Sequence, residues 1–410
     1  MRRFFCTFIF VLLFTSLSFA ADWAQFNGPN GDNKSSDTGL LKKWSEGGPK
    51  LLWTADFIGT GWSSVTISGD RIYTSGNVND RSMVFCIDKD GNKIWAEENG
   101  PAHTEGRTYP GTRGTPAVDG NFVYDASPLG EAACFDAKTG KKIWNRNLLK
   151  DYDAPMPRWI LGHSVVVDGD NIVCMVGGAK ALAVALDKRT GTTALEYAGV
   201  GLPTSYVTPY FFEFEGIRVL TVMSNETIEG YDAKSTKPLF SIPWKNMRST
   251  TIPMPIYRNG HLLVSSGYDN GTKLFKLAKK SDGTLSATEV WYQQKLDNHH
   301  GGLVLVGDYV YGAAHKGSWG SIHVDTGELG YFERGAGAYG SIHFAEGLLY
   351  GLTEKGTAFL YKPEPERFVE LGRFELPNEA SGASWAHPVV CNGKLYLRHA
   401  QYLYCYDVKE

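Results

Sequence analysis

The chain has little that would let it be read as a known kind of catalyst. Of its 410 residues only six are cysteine. No two cysteines are adjacent and none forms a Cys-x-x-Cys pair, which excludes c-type haem attachment. There is no glycine-rich phosphate loop and no nucleophile elbow. Beyond the first twenty residues no apolar run approaches the length of a membrane-spanning helix. Charge of one sign is also missing: 41 Lys and Arg stand against 44 Asp and Glu, a net charge of −3. Without a basic stripe, nucleic acid is excluded as an expected partner.

What is present begins with an address. Arg2 and Arg3 precede the apolar run Phe4 to Phe14, and Ser18-Phe19-Ala20 offers small residues for cleavage. Cys6 lies inside that run, so no lipoprotein anchor is read. Residues 1–20 are expected to be a signal peptide, which places the protein in the periplasm or outside the cell. Residues 21–49, with Phe26-Asn27-Gly28-Pro29-Asn30-Gly31, read as a packed N-terminal arm rich in turn formers.

From Lys50 to Glu410 the chain repeats itself. Cys134-Phe135-Asp136-Ala137-Lys138-Thr139-Gly140-Lys141-Lys142-Ile143-Trp144 reads as two strands around a tight turn. Asp136 opens the turn, Gly140 permits positive φ, and Trp144 anchors the second strand. Asp88, Gly91 and Trp95 repeat these roles, and Asp187 and Gly191 repeat the turn. A second hairpin signal recurs at Gly69, Gly120, Gly169, Gly216, Gly260, Gly307, Gly347 and Gly393. The intervals of 40 to 51 residues match one four-stranded propeller blade each. The last repeat ends at Asp407-Val408-Lys409-Glu410 without a fourth strand, while a surplus strand with Trp53 precedes the first repeat. The sequence therefore predicts an all-β, eight-bladed β-propeller over residues 50–410, closed by an N-terminal strand that completes the last blade. The five cysteines beyond the leader are expected to be reduced and buried; Cys86, Cys134 and Cys405 occupy equivalent repeat positions.

Connections between the fourth strand of one blade and the first of the next are long, and they carry His103, Arg107, Tyr109, Tyr206 and Arg248. They also carry the residues expected to form a site: Arg113, Arg158, Trp159, His163, His299, His300, Tyr339, Trp385 and His387. Ring geometry should gather them at one mouth of the central channel. There the arginines would take carboxylate, phosphate or quinone oxygens, and the aromatic rings would stack on a ring or sugar face. Adjacent histidines in a strand point to opposite faces, and no third ligand stands at a telling spacing, so no metal site is expected.

The repeated Asp-x-x-x-Gly-x-x-x-Trp resembles the tryptophan-docking repeat of pyrroloquinoline quinone (PQQ) dehydrogenase propellers. Phe26-Asn27-Gly28-Pro29-Asn30-Gly31, Asn298-His299-His300-Gly301-Gly302 and Trp385-Ala386-His387-Pro388 look like a secreted branch of PQQ-binding-like β-propeller repeat proteins. The resemblance implies the fold over nearly the whole chain. It also implies PQQ with calcium as a possible cofactor. The dehydrogenases, however, carry an adjacent cysteine pair, a calcium-binding Glu and Asn and a catalytic Asp, and none of these can be matched here. The propeller of the outer-membrane protein assembly lipoprotein is a second relative that carries the repeat without cofactor. Three readings stay open. The first is an exported scaffold binding a small molecule, a carbohydrate or a protein partner at the channel mouth, expected as a monomer without a membrane span. The second is a PQQ-dependent alcohol or sugar dehydrogenase. The third is a non-redox carbohydrate-active enzyme using channel-mouth His, Tyr and Arg.

Overall fold

The computed structural model describes residues 23–104, 109–335, 337–377, 379–380 and 382–410. The expected leader and Arg107 lie outside the described residues. Eight sheets, each built on four antiparallel strands, follow one another around a ring. Blade 1 comprises Thr66–Ser68, Arg71–Val78, Arg81–Asp88 and Lys93–Pro101; blade 2 comprises Ala117–Asp119, Phe122–Ala126, Glu131–Asp136 and Lys142–Asn147. The pattern continues to blade 8, in which Val389–Cys391, Lys394–His399 and Tyr402–Asp407 are completed by Lys50–Ala55. Lys50 pairs with Asp407 and Trp53 with Cys405, so the N-terminal strand closes the ring. Among the described residues the only α-helix is the single turn Leu148–Asp151.

The repeated Gly and Trp clasp neighbouring blades together. Trp95 of blade 1 donates its indole N–H to Ala137 O in the turn of blade 2 at 3.1 Å. Gly140 in that turn has φ +79°, and a Cβ there would sit 2.8 Å from the Trp95 ring. Only glycine meets both demands. The same clasp joins Trp144 to Gly191, Trp291 to Gly327 and, across the closure, Trp53 to Gly91. Between blades 3 and 4 a tyrosine takes over: Tyr197 donates its hydroxyl to Ala233 O at 2.8 Å. The core is correspondingly distributed between blades. One cluster joins Tyr350, Leu352 and Leu360 of blade 7 to Leu395, Leu397 and Tyr404 of blade 8, with Leu40 and Trp44 of the arm. Cys86, Cys134, Cys174, Cys391 and Cys405 are buried as free thiols.

The arm does more than pack. Trp23 bridges to Ile67 of blade 1, and Val118 N of blade 2 donates to Ala24 O. Asn27 reaches Met254 at the entry to blade 5. Lys34–Ser35 then adds a parallel fifth strand to the inner edge of blade 7, beside Phe344 and Ala345, and Leu40 bridges to Lys409. The segment thus runs across the ring from one side to the other, along the innermost strands.

Candidate functional site

In a four-stranded antiparallel blade, the loop between strands two and three and the connection to the next blade emerge on the same face. The short glycine hairpins and the Trp-clasping turns emerge on the other. A cavity of about 360 Å³ opens on the long-loop face. Phe26 and Asn27 of the arm are part of its lining, and Trp62, Tyr109, Trp159, Tyr206, Tyr268 and Trp385 contribute further aromatic surface. Arg113, Arg248, His299, His300 and His387 add the polar groups.

Six of the nine residues singled out from the sequence therefore line one cavity: Arg113, Trp159, His299, His300, Trp385 and His387. The other three do not. His163 is buried at the entry to blade 3, where its Nε2 accepts from Met175 N at 3.2 Å; burial pulls it down to about 4. Arg158 is exposed, its guanidinium 5.1 Å from the Trp159 ring. Tyr339 stands behind the lining, 5.1 Å from His300. The expectation that His299 and His300 face opposite ways is corrected. They lie in a bend before the first strand of blade 6, Leu303–Val306, and strand alternation does not apply. Both face the cavity, with their Nδ1 atoms 3.3 Å apart.

One wall is continuous. The Arg113 guanidinium lies 5.4 Å from the Trp62 ring, Trp62 lies 4.8 Å from Trp385, and Trp385 lies 5.6 Å from His300. Trp62 is fixed by donating to Ala383 O at 2.8 Å. Arg113 donates to Tyr109 O at 3.0 Å. Burial lowers the Arg113 guanidinium to about 10, which leaves it charged at neutral pH. Burial and the neighbouring His315 bring His299 down to about 3. His300 is held well below the usual imidazole range by burial and by His299, His387 and His315. These histidines are neutral at pH 7. Among the described residues that line the cavity there is no Asp or Glu, and the formally charged ones are Arg113 and Arg248.

The arm also sets the histidines. Asn33 accepts from His343 Nδ1 at 2.9 Å and donates to Ile342 O and to His387 Nδ1, the latter at 3.3 Å. His387 therefore carries its proton on Nε2, which donates to His300 O at 3.0 Å. The loops around the cavity hold several residues with positive φ: Asn27 (61°), Tyr109 (55°), Ile160 (60°), Ser249 (53°), Tyr268 (62°) and Asp269 (61°). For the bulky Tyr109, Ile160 and Tyr268 this conformation costs on the order of 1–3 kcal/mol each, whereas Asn and Asp adopt it more readily.

Trp62, Tyr268, Phe26 and Met254 line the cavity but were not singled out from the sequence. Trp62 stands just ahead of the first strand of blade 1, Thr66–Ser68, the same position rule that marks Trp385. Extending that rule to the entry of the first blade would have found it. Tyr268 lies between strands His261–Ser266 and Gly271–Lys279 of blade 5, in the second class of loop on this face.

A family model described as outer membrane protein assembly factor BamB matches residues 34–154 and 133–369. Among solved structures, BamB from Moraxella catarrhalis aligns with a TM-score of 0.59 at 13% identity, covering 88% of this chain and 98% of its own. Quinohemoprotein alcohol dehydrogenase from Comamonas testosteroni aligns at 0.64 and 11% identity, with 95% and 81% covered. A europium-containing methanol dehydrogenase aligns at 0.65 and 12% identity, with 92% and 89% covered. No curated protein matches the chain. At these identities the structural likeness speaks for the fold.

Proposed function

The chain belongs to the BamB-like family of PQQ-type propeller repeat proteins, and from that premise we propose that it is an exported ligand-binding propeller whose channel-mouth cavity takes a small, anionic, ring-bearing molecule. The observation that carries this reading is the composition of the wall. A half-buried, charged Arg113 is set against Trp62, which lies beside Trp385, in a cavity whose described lining has no carboxylate. A guanidinium half-buried beside an apolar ring gains from an anion, which it meets with forked, charge-assisted hydrogen bonds. The tryptophan faces suit a flat or saccharide ring. At about 360 Å³ the cavity falls near the lower end of small-molecule sites, about 300–1,000 Å³, which suits one or two rings.

A calcium–PQQ pair fits these residues poorly. Calcium takes six to eight oxygen ligands, carboxylates prominent among them. Among the described residues no carboxylate faces the cavity and no group of three or more His, Cys, Asp or Glu is arranged to hold a metal. Adjacent cysteines are absent from the sequence.

The reading is tested by thermal shift and calorimetry with aromatic carboxylates, acidic sugars, neutral sugars, and PQQ with and without calcium. A ligand that binds only the folded state raises Tm by mass action. Saturable binding of one or more anions is expected, weakened about tenfold by Arg113→Gln. Binding of neutral compounds only, or an unaffected Arg113→Gln variant, would overturn it. Calcium-dependent PQQ binding would replace it with the dehydrogenase reading.

A further inference from the structure

The aromatic wall runs from buried to exposed surface. Trp62 is 8% exposed, and Trp385 beside it is half-buried. Tyr109 follows, 5.2 Å from Trp385 and 54% exposed, and half-buried Trp159 lies 6.4 Å from Tyr109. Successive ring planes are turned by 31°, 70° and 41°. A rigid fused plate can lie flat on one such face only. Rings joined by rotatable single bonds can lay one unit on each face.

Arg158 and Trp159 form the tip of a tight turn. Ile160 N donates to Pro157 O at 2.9 Å, Leu161 N to Pro128 O at 3.1 Å, and Trp159 N to Tyr206 Oη at 2.9 Å. Met247 and Arg248 form a second tip, where Ser249 N donates to Asn246 O at 3.1 Å. Both arginines are exposed, and among the described residues neither is paired with a carboxylate. Other surface arginines are paired, as Arg218 is with Asp168 and Arg258 with Asp308. Burial raises the Tyr206 hydroxyl, against the Trp159 N–H and the charges of Arg113 and Arg158; burial raises Tyr268 too, against Arg248 and Arg158. Three cations thus act on two tyrosines of one cavity, and such a cluster favours a ligand with more than one anion. An acidic sugar chain repeats an apolar C–H face and an anion at every unit, as the wall repeats an aromatic face and an arginine. Resting on the anionic-pocket reading above, we propose that the site continues outward over the turn at 157–160 and that its ligand is an acidic oligosaccharide. One unit lies against Trp62 and Trp385 with its anion toward Arg113, and the next lies on Tyr109 and Trp159 with its anion toward Arg158.

The test is calorimetry at pH 7.5 with galacturonate, glucuronate and mannuronate as single units and as tetramers. Neutral hexose tetramers, an aromatic carboxylate and a short oligothymidylate serve as the comparisons. At least one uronate is expected to bind about tenfold tighter as the tetramer than as the single unit. Arg158→Gln should weaken that tetramer about tenfold and so remove the gain, whereas Arg113→Gln should weaken both lengths. Arg158 is exposed at a turn tip, so its replacement leaves the core untouched. A tetramer bound no better than its single unit, or unaffected by Arg158→Gln, would overturn the outward site and leave the anionic pocket standing. Failure of every uronate while the aromatic carboxylate binds would overturn the saccharide alone. Equal binding of a neutral tetramer would overturn the acidic groups, and tighter binding of oligothymidylate would replace the sugar chain with a nucleic-acid chain. Failure of every anion would overturn both readings.

Discussion

Asp125, on the second strand of blade 2, accepts one hydrogen bond from Asn99 of blade 1 at 2.7 Å and has no cation beside it among the described residues. Burial raises its carboxyl to about 7. Unfolded, it would ionise near 3.8. Between those values the folded chain holds a proton that the unfolded chain has released. The resulting stability is fully present below about 4, falls as pH rises through 7, and is then lost. Asp125→Asn should therefore gain on the parent protein as pH goes from 4 to 8, by on the order of 2–4 kcal/mol. Paired denaturant titrations at several pH values would check this; a difference that stays flat with pH would refute it. Arg398 is a second buried charge, lowered to about 9 by burial. It donates to Gly59 O, Ser63 O, Ser75 O and Ala400 O, tying the last blade to the loop that carries Trp62.

At the scale of the element, the closing strand and the clasping turns follow one rule. Trp53 donates to Lys89 O at 2.9 Å, as Trp95 donates to Ala137 O at 3.1 Å, although Trp53 belongs to a strand some 350 residues distant from its sheet partners. Trp95, however, is nearly buried and Trp53 is only half-buried. Trp95→Ala should cost about 3–5 kcal/mol, and Trp53→Ala should cost less. Urea unfolding of the two variants measures the difference, and a larger loss for Trp53 would contradict this account. The position rule that marks blade entries picked out part of the cavity wall from residues alone. It did not reveal that the arm joins the lining, because nothing in Phe26-Asn27-Gly28 states which surface lies against it.

For the whole molecule, the ring leaves no open sheet edge between its first and last blades because Lys50–Ala55 pairs with Tyr402–Asp407. Deleting residues 50–57 would expose the strand Tyr402–Asp407 as a new edge, and bare edges recruit other chains. The deletion should lower Tm and produce self-association detectable by light scattering. An unchanged Tm with a single unassociated species would refute the closure argument.

The repeat spacing, the glycine turns and the tryptophan strands are local features. Each follows from the φ a residue can adopt or the apolar area it must bury, so blade number and ring closure could be read directly from the order of residues. The cavity is different. His299 and His300 share one wall with Arg113 and Trp385 only because eight blades bring distant loops around one axis. The direction of each side chain depends on a bend rather than on strand alternation. The contact within the histidine pair depends on the tertiary structure as well, since the 3.3 Å approach of the two Nδ1 atoms follows from the bend that holds them, and no distance is written in a pair of adjacent letters.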